Sequence, residues 1–109
     1  MLQVRYYLAP AGGRPFDAWF ADLESAARAK VTRAILRLEQ GNFSNVKSVG
    51  DGVFEYKINF GPGYRVYFGQ DGPTLVILLT GGTKKRQQRD IEEARAYWLD
   101  YKRNKPARR

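Results

Sequence analysis

Apolar residues in this chain recur with two periods. Phe16, Trp19, Phe20 and Leu23 fall at i, i+3, i+4 and i+7, the spacing of one helical face, and Pro15 suits the first turn of that helix. Beyond Ser25, a suitable N-cap, a second apolar line runs through Ala27, Val31, Ala34, Ile35 and Leu38, while Arg28, Lys30, Arg33 and Arg37 take the other side. Gly41-Asn42 ends this helix. The two helices form a hairpin that needs a sheet to lie on. Residues 2 to 8, rich in Val, Tyr and Leu, alternate loosely and read as a strand ended by Ala9-Pro10-Ala11-Gly12-Gly13.

The second half has the period of strands. Runs near 53 to 60, 64 to 69 and 74 to 80, separated by Gly61-Pro62-Gly63 and Gln70-Asp71-Gly72-Pro73, predict a β-meander. If Phe60 pairs with Tyr64 across a three-residue loop, then Phe54, Tyr56, Ile58, Phe60, Tyr64, Val66 and Phe68 share one apolar face. Glu55, Lys57, Asn59, Arg65 and Tyr67 share the other, with Asn59 opposite Arg65, Lys57 opposite Tyr67, and Lys57 and Arg65 as diagonal neighbours. A slip of one residue would bury charge, so the core pattern itself specifies which face is which. Thr74 to Thr80 does not alternate and reads as a central strand covered on both sides. From about Gln87 the helical period returns through Ile91, Ala94, Trp98 and Tyr101. This last helix either packs on the sheet or swings away on a hinge at Gly81-Gly82. The expected fold is α+β: an N-terminal strand, a helical hairpin on a small, largely antiparallel sheet, and a C-terminal helix.

Composition narrows the chemistry. At 109 residues the chain is expected to form one domain, residues 1–103, with a basic tail over 104–109. That length buries roughly two thirds of the surface exposed by the unfolded chain. Cysteine and histidine are absent, which removes disulfides, thiolate and imidazole nucleophiles, and the usual transition-metal ligands. No cofactor and no metal are expected. The first residues show no charged segment followed by an apolar core, and no run of apolar residues is long enough to span a bilayer, so a cytoplasmic location and no membrane partner are expected. The net charge of +8 is uneven: residues 84 to 109 hold ten basic residues against four acidic ones. Such a patch attracts polyanions, nucleic acid first. A solubilising tail is the plainer reading of residues 102 to 109.

Lys57, Arg65 and the run Lys84-Lys85-Arg86-Gln87-Gln88-Arg89 are the candidates for chemistry. A lone strand lysine is usually a solvated residue. With Asn59, Arg65 and Tyr67 on the same face, Lys57 becomes part of a cationic, hydrogen-bonding surface that suits a phosphate with a base beside it. The plainer alternative is a half-wet face on which Glu55 pairs with Lys57 or Arg65.

The strings Gly52 to Phe68, Leu78 to Lys85 and Gln88 to Ala94, with Phe16, Trp19, Leu23, Leu38 to Phe43 and Val46-Lys47, resemble the addiction-module killer proteins, HigB-like members of the RelE/ParE toxin superfamily. The resemblance runs from Gly13 to about Trp98. It implies a toxin of a type II toxin–antitoxin system that cleaves messenger RNA, often on the ribosome. It also implies a cognate antitoxin of helix-turn-helix or similar DNA-binding type, with operator DNA engaged only through the antitoxin complex. By position it implies Lys57, Arg65 and Arg86 as catalytic cations and Lys47, Asn59, Tyr67, Lys84, Lys85 and Arg89 as RNA contacts. A gapless reading puts Gln87 in place of Arg86, and Ile91 falls where RelE-type enzymes carry a tyrosine.

A ribonuclease without metal or histidine would use the substrate's own 2′-OH as nucleophile, leaving a 2′,3′-cyclic phosphate and a free 5′-OH. Charge grows on the non-bridging oxygens, where one preplaced donor typically contributes about 10²- to 10³-fold in rate. Arg65 is the first choice for that donor. A lysine acting as general base would need its pKa lowered by about three units from about 10.4, so Lys57 is either that base or a second electrostatic clamp. Tyr67 or Lys85 would protonate the leaving oxygen. Two other readings stay open at this level: a ParE-like inhibitor of DNA gyrase, and a nucleic-acid-binding module without catalysis.

Overall fold

The computed structural model describes residues 1–105. Strand β1 (Gln3–Tyr6) leads into helices α1 (Pro15–Ala21) and α2 (Ser25–Glu39). Four strands follow, β2 (Val46–Gly50), β3 (Val53–Ile58), β4 (Tyr64–Asp71) and β5 (Leu75–Thr83), then a 3₁₀ turn over Lys84–Arg86 and helix α3 (Gln87–Asn104). The five strands form one sheet in the order β1-β5-β4-β3-β2. The meander β2 to β5 is antiparallel, and β1 adds to its edge parallel to β5. This is the expected α+β architecture, with one strand more than expected.

Strand alternation divides the core in two. Tyr56, Ile58, Tyr64, Val66, Phe68, Val76 and Leu78 point to one side, where Phe16 of α1 and Val31, Ala34 and Leu38 of α2 cover them. Val53, Tyr67, Ile77 and Leu79 point to the other, under Ile91, Ala94, Trp98 and Tyr101 of α3. Strand β5 contributes to both clusters, which is why its sequence does not alternate. It lies in the interior of the sheet between β1 and β4.

Three expectations are corrected. The first is the pairing of β3 with β4: Lys57 lies directly opposite Arg65 and Glu55 opposite Tyr67, because the loop spans Asn59 to Gly63 and not three residues. The shift is by two residues, so every side chain keeps its face. The second is β2, which pairs Val46 with Tyr56 and Lys47 with Glu55 at the sheet edge. Its residues are exposed or half-buried and carry little apolar signal. The third is the hinge. Gly81 and Gly82 are buried inside β5 and pair with Val66 and Arg65. They lack side chains because two others fill the space: a Cβ on Gly81 would enter the six-membered ring of the Trp19 indole, and one on Gly82 would meet the Asp90 carboxylate.

Helix α3 is therefore held against the sheet along its length. Gly69 of β4 receives the Trp98 ring in the same manner. The Tyr7 hydroxyl donates to Asp100 (2.7 Å), and Lys105 Nζ reaches Asp71 at 2.6 Å. Two residues expected in the basic tail are thus part of this end: Asn104 closes α3, and Lys105 is paired. The remaining tail residues lie outside the described part of the chain.

Asp90, in the first turn of α3, is buried, and its Oδ2 has no hydrogen-bond partner among the described residues. Burial raises its pKa above the ordinary carboxylate value of 3.8; Arg86 and Arg89 pull it down and Glu93 pushes it further up. The folded chain therefore keeps a proton at Asp90 that the unfolded chain has already released, and ionising Asp90 costs stability.

Two outcomes follow for folding. Gly81→Ala is expected to lower stability by about 1–3 kcal/mol in urea unfolding through overpacking against Trp19, and adding Trp19→Leu should recover part of the loss. Asp90→Asn is expected to match wild type in stability at pH below 3.8 and to exceed it increasingly as pH rises through the folded value of Asp90. A stability difference that does not change with pH would contradict this.

Candidate functional site

On the face that carries Lys57 and Arg65, α3 reaches across to β2, where Arg95 Nη2 donates to the carbonyl of Val49 and Trp98 lies against Gly52. At the end where β3 turns into β4, grooves open beside Lys57, Arg65 and Lys84. Lys57 and Arg65 are direct cross-strand partners there, so both project on that same side. Lys57 and Asn59 are exposed, whereas Arg65 is only 4% exposed.

The buried centre of this region is Glu55, 1% exposed. Its Oε2 accepts hydrogen bonds from Gln87 Nε2 (2.8 Å) and Tyr67 OH (3.2 Å), and lies 3.5 Å from Arg65 Nε. Lys47 Nζ approaches Oε1 at 3.8 Å. The guanidinium of Arg65 is held on another side by Nη1 donating to the carbonyl of Gly63 at 2.6 Å. The plainer alternative weighed from sequence thus describes part of the site: Glu55 does pair with Arg65. The other part is that Arg65 is fixed in place while still lining two grooves.

The first of these grooves, about 430 Å³, is formed by Lys57, Asn59, the loop Phe60 to Gly63, Arg65 and Lys84. Lys84 is brought in by its backbone N–H, which donates to Gly63 O at 2.9 Å. A second, about 330 Å³, shares Lys57, Asn59 and Arg65 and adds Asn45, Lys47, Glu55 and Gln87. The two join across Lys57. Together they present three exposed lysines, Lys47, Lys57 and Lys84, and a fixed guanidinium around one concave surface, which can bind a phosphate and stabilise charge that grows on it.

Of the residues singled out from sequence, Lys57, Arg65, Lys47, Asn59 and Lys84 converge here. Tyr67 does not. It is fully buried beneath α3, so it cannot stack on a base, and burial with the adjacent Glu55 and Asp90 carboxylates raises its pKa, which makes it a poorer proton donor. Arg86, Lys85 and Arg89 are exposed but line neither groove, and Arg86 instead acts on Asp90. The structure thus leaves Arg86 outside the cluster expected around the phosphate.

Glu55 and Asn45 were not among the sequence candidates, and Gln87, which lay in the Lys84–Arg89 run, was not expected to bond Glu55. A carboxylate inside Val53-Phe54-Glu55-Tyr56, on a face whose neighbours are Arg65 and Tyr67, was the available signal for the first of them. Among the described residues no group of three or more acidic side chains is placed to hold a metal ion, and no helix is long and apolar enough to cross a membrane.

Comparison with known proteins agrees with the extent of this unit. A family model described as "Phage derived protein Gp49-like (DUF891)" matches residues 18–97, from α1 into the last turns of α3. An uncharacterized protein of Haemophilus influenzae is 48% identical over 81 residues, which cover 73% of this chain and 82% of that protein. The matched segment contains both walls of the grooves, Asn45 to Lys57 and Asn59 to Gln87, and on this evidence the chain belongs to the Gp49-like family of phage-derived proteins.

Proposed function

We propose that this protein is the toxin of a toxin–antitoxin module and acts as an endoribonuclease on messenger RNA, neutralised by a cognate antitoxin. Membership of the Gp49-like family, a toxin-like family of such modules, supports the toxin and its antitoxin partner. The observation that carries the nuclease reading is the pairing of exposed Lys57 with fixed Arg65 across β3 and β4, beside Lys84, around one open groove. The same arrangement favours the HigB-like branch of the RelE/ParE superfamily over its gyrase-inhibiting branch, which has no use for a cluster around a scissile phosphate.

The step requires little covalent chemistry from the protein. The ribose 2′-oxygen attacks the adjacent phosphorus, the bond to the 5′-oxygen breaks, the 2′-OH proton leaves with a base, and a proton reaches the 5′-oxygen. Arg65, oriented by Glu55 and Gly63, lines the groove and would bear on the non-bridging oxygens. Lys57 and Lys84 flank that position and add positive charge. Tyr67 takes no part as acid. It holds the Glu55 carboxylate from beneath and is a positioning residue. Among the candidates for the proton on the leaving oxygen, Lys84 replaces Lys85, because Lys84 lines the groove and Lys85 does not. The ribosome as the place of cleavage belongs to the same proposal.

Lys57→Ala is expected to relieve growth arrest on induction and to lower RNA cleavage by about 10²-fold or more, with unfolding in urea unchanged because the side chain is exposed. Arg65→Lys should do the same while retaining the charge, since an ammonium cannot keep both the Glu55 and Gly63 contacts and still reach the groove. Cleaved messages should carry 2′,3′-cyclic phosphate and 5′-OH ends. Undiminished toxicity in both variants, or 3′-OH ends, would overturn the nuclease assignment.

A further inference from the structure

A third groove, about 230 Å³, opens between α2 and the end of β3 and is lined by Lys30, Arg33, Arg37, Asn45, Lys57 and Asn59. It shares Asn45, Lys57 and Asn59 with the groove that contains Arg65 and Glu55, so the two are continuous around the edge of the sheet. That edge is open because β2 stops pairing at Tyr56: the last bond from this side is Lys57 N–H to Asn45 O at 3.1 Å, and Ile58 and Asn59 have no strand beyond them. Lys30, Arg33 and Arg37 project from one side of α2 at i, i+3 and i+7 and are exposed. Among the described residues no carboxylate pairs with any of them. Lys30 Nζ lies 5.2 Å over the ring of Phe60, which fixes its ammonium beside the mouth of the loop groove.

We propose that this groove is a second phosphate-binding track, which holds single-stranded RNA on one side of the cleaved linkage and makes α2 part of the substrate-binding surface. The inference rests on the RNA reading of the site but not on catalysis. Three uncompensated cations along one groove match a run of backbone phosphates. The two asparagines supply hydrogen bonds that ribose or base edges can use without sequence demand. A polyanion seated there reaches Lys57 without leaving a positively charged wall, so it delivers the adjoining linkage to Lys57 and Arg65. The same cations would also attract an acidic protein segment, but the continuity with the Arg65 groove through Lys57 and Asn59 favours the nucleic acid.

The test uses the full chain and two 5′-labelled probes that cannot be cleaved, a fully 2′-O-methylated trinucleotide and a decanucleotide of mixed sequence, with binding read by fluorescence anisotropy. Wild type is expected to bind the longer probe more tightly. The variant Lys30→Gln/Arg33→Gln/Arg37→Gln should lose about tenfold or more in affinity for the longer probe near 0.1 M salt, with the slope against log salt reduced by about 0.7 for each phosphate released. Its affinity for the trinucleotide should be unchanged. A charge-matched control, Arg5→Gln/Lys102→Gln/Arg103→Gln, removes three exposed cations that line none of these three grooves and should leave both probes nearly unaffected. Equal binding of the longer probe by wild type and the α2 variant would overturn the track. So would equal losses in the α2 variant and the control, which would reduce the effect to net charge. Loss of antitoxin binding with RNA binding intact would assign the groove to the protein partner instead. Cleavage of unmodified RNA by wild type is scored separately: its absence alongside the expected binding pattern would remove the nuclease and keep the track.

Discussion

A carboxylate with almost no contact with solvent holds this site together. Glu55 sits on β3, one strand in from the sheet edge, and groups from three other elements converge on it: Lys47 from β2, Arg65 and Tyr67 from β4, and Gln87 from α3. Burying a charge pair costs desolvation that the mutual attraction often only offsets, so the pair is a poor source of net stability. What it fixes is orientation. An arginine side chain that would otherwise sample many rotamers is held between the Glu55 carboxylate and the Gly63 carbonyl, and that cost in entropy is met on folding, before any ligand arrives.

The rest of the architecture makes that constraint possible. Strand alternation sends one set of side chains toward α1 and α2 and the other toward α3, and only the second set contains charge. Helix α3 seals that charge on one side because Gly69 and Gly82 leave room for Trp98 and Asp90 to sit against the backbone. Gly81 does the same for Trp19 on the opposite face. The sheet is thus gripped from both sides near the point where β5 ends and the cationic turn begins. A segment that reads as a flexible hinge is packed on both faces, and Lys84 just beyond it lines the groove while Arg86 does not.

Much of this was legible in the sequence, and the failures have physical causes. Face assignment survived an error of two residues in the β3–β4 pairing because the side-chain period is two; the error came from taking a loop with two glycines as tight when five residues form it. Strand β2 escaped notice because an edge strand with exposed lysine and serine needs little apolar content. Gly81-Gly82 misled because glycine has two uses, conformational freedom and absence of volume, and only the partner side chains, Trp19 and Asp90, reveal which applies. For the site, Lys57, Arg65, Lys47, Asn59 and Lys84 were placed by strand register and by resemblance. Tyr67 was misjudged because the covering of its face by α3 is a tertiary fact. Glu55 was legible as an odd charge among apolar neighbours, but its role as the common acceptor depends on Gln87, which comes from an element 32 residues away in sequence.

The central claim is that Glu55 immobilises the Arg65 guanidinium before substrate binds. Arginine-selective ¹⁵N NMR of the free protein measures this directly. In wild type, the Arg65 side chain should give a slowly exchanging Nε–Hε resonance with its Nη groups resolved by hindered rotation, and Glu55→Gln should collapse both signatures while leaving the backbone spectrum of the sheet in place. A freely rotating, rapidly exchanging Arg65 in the wild-type protein would contradict the account.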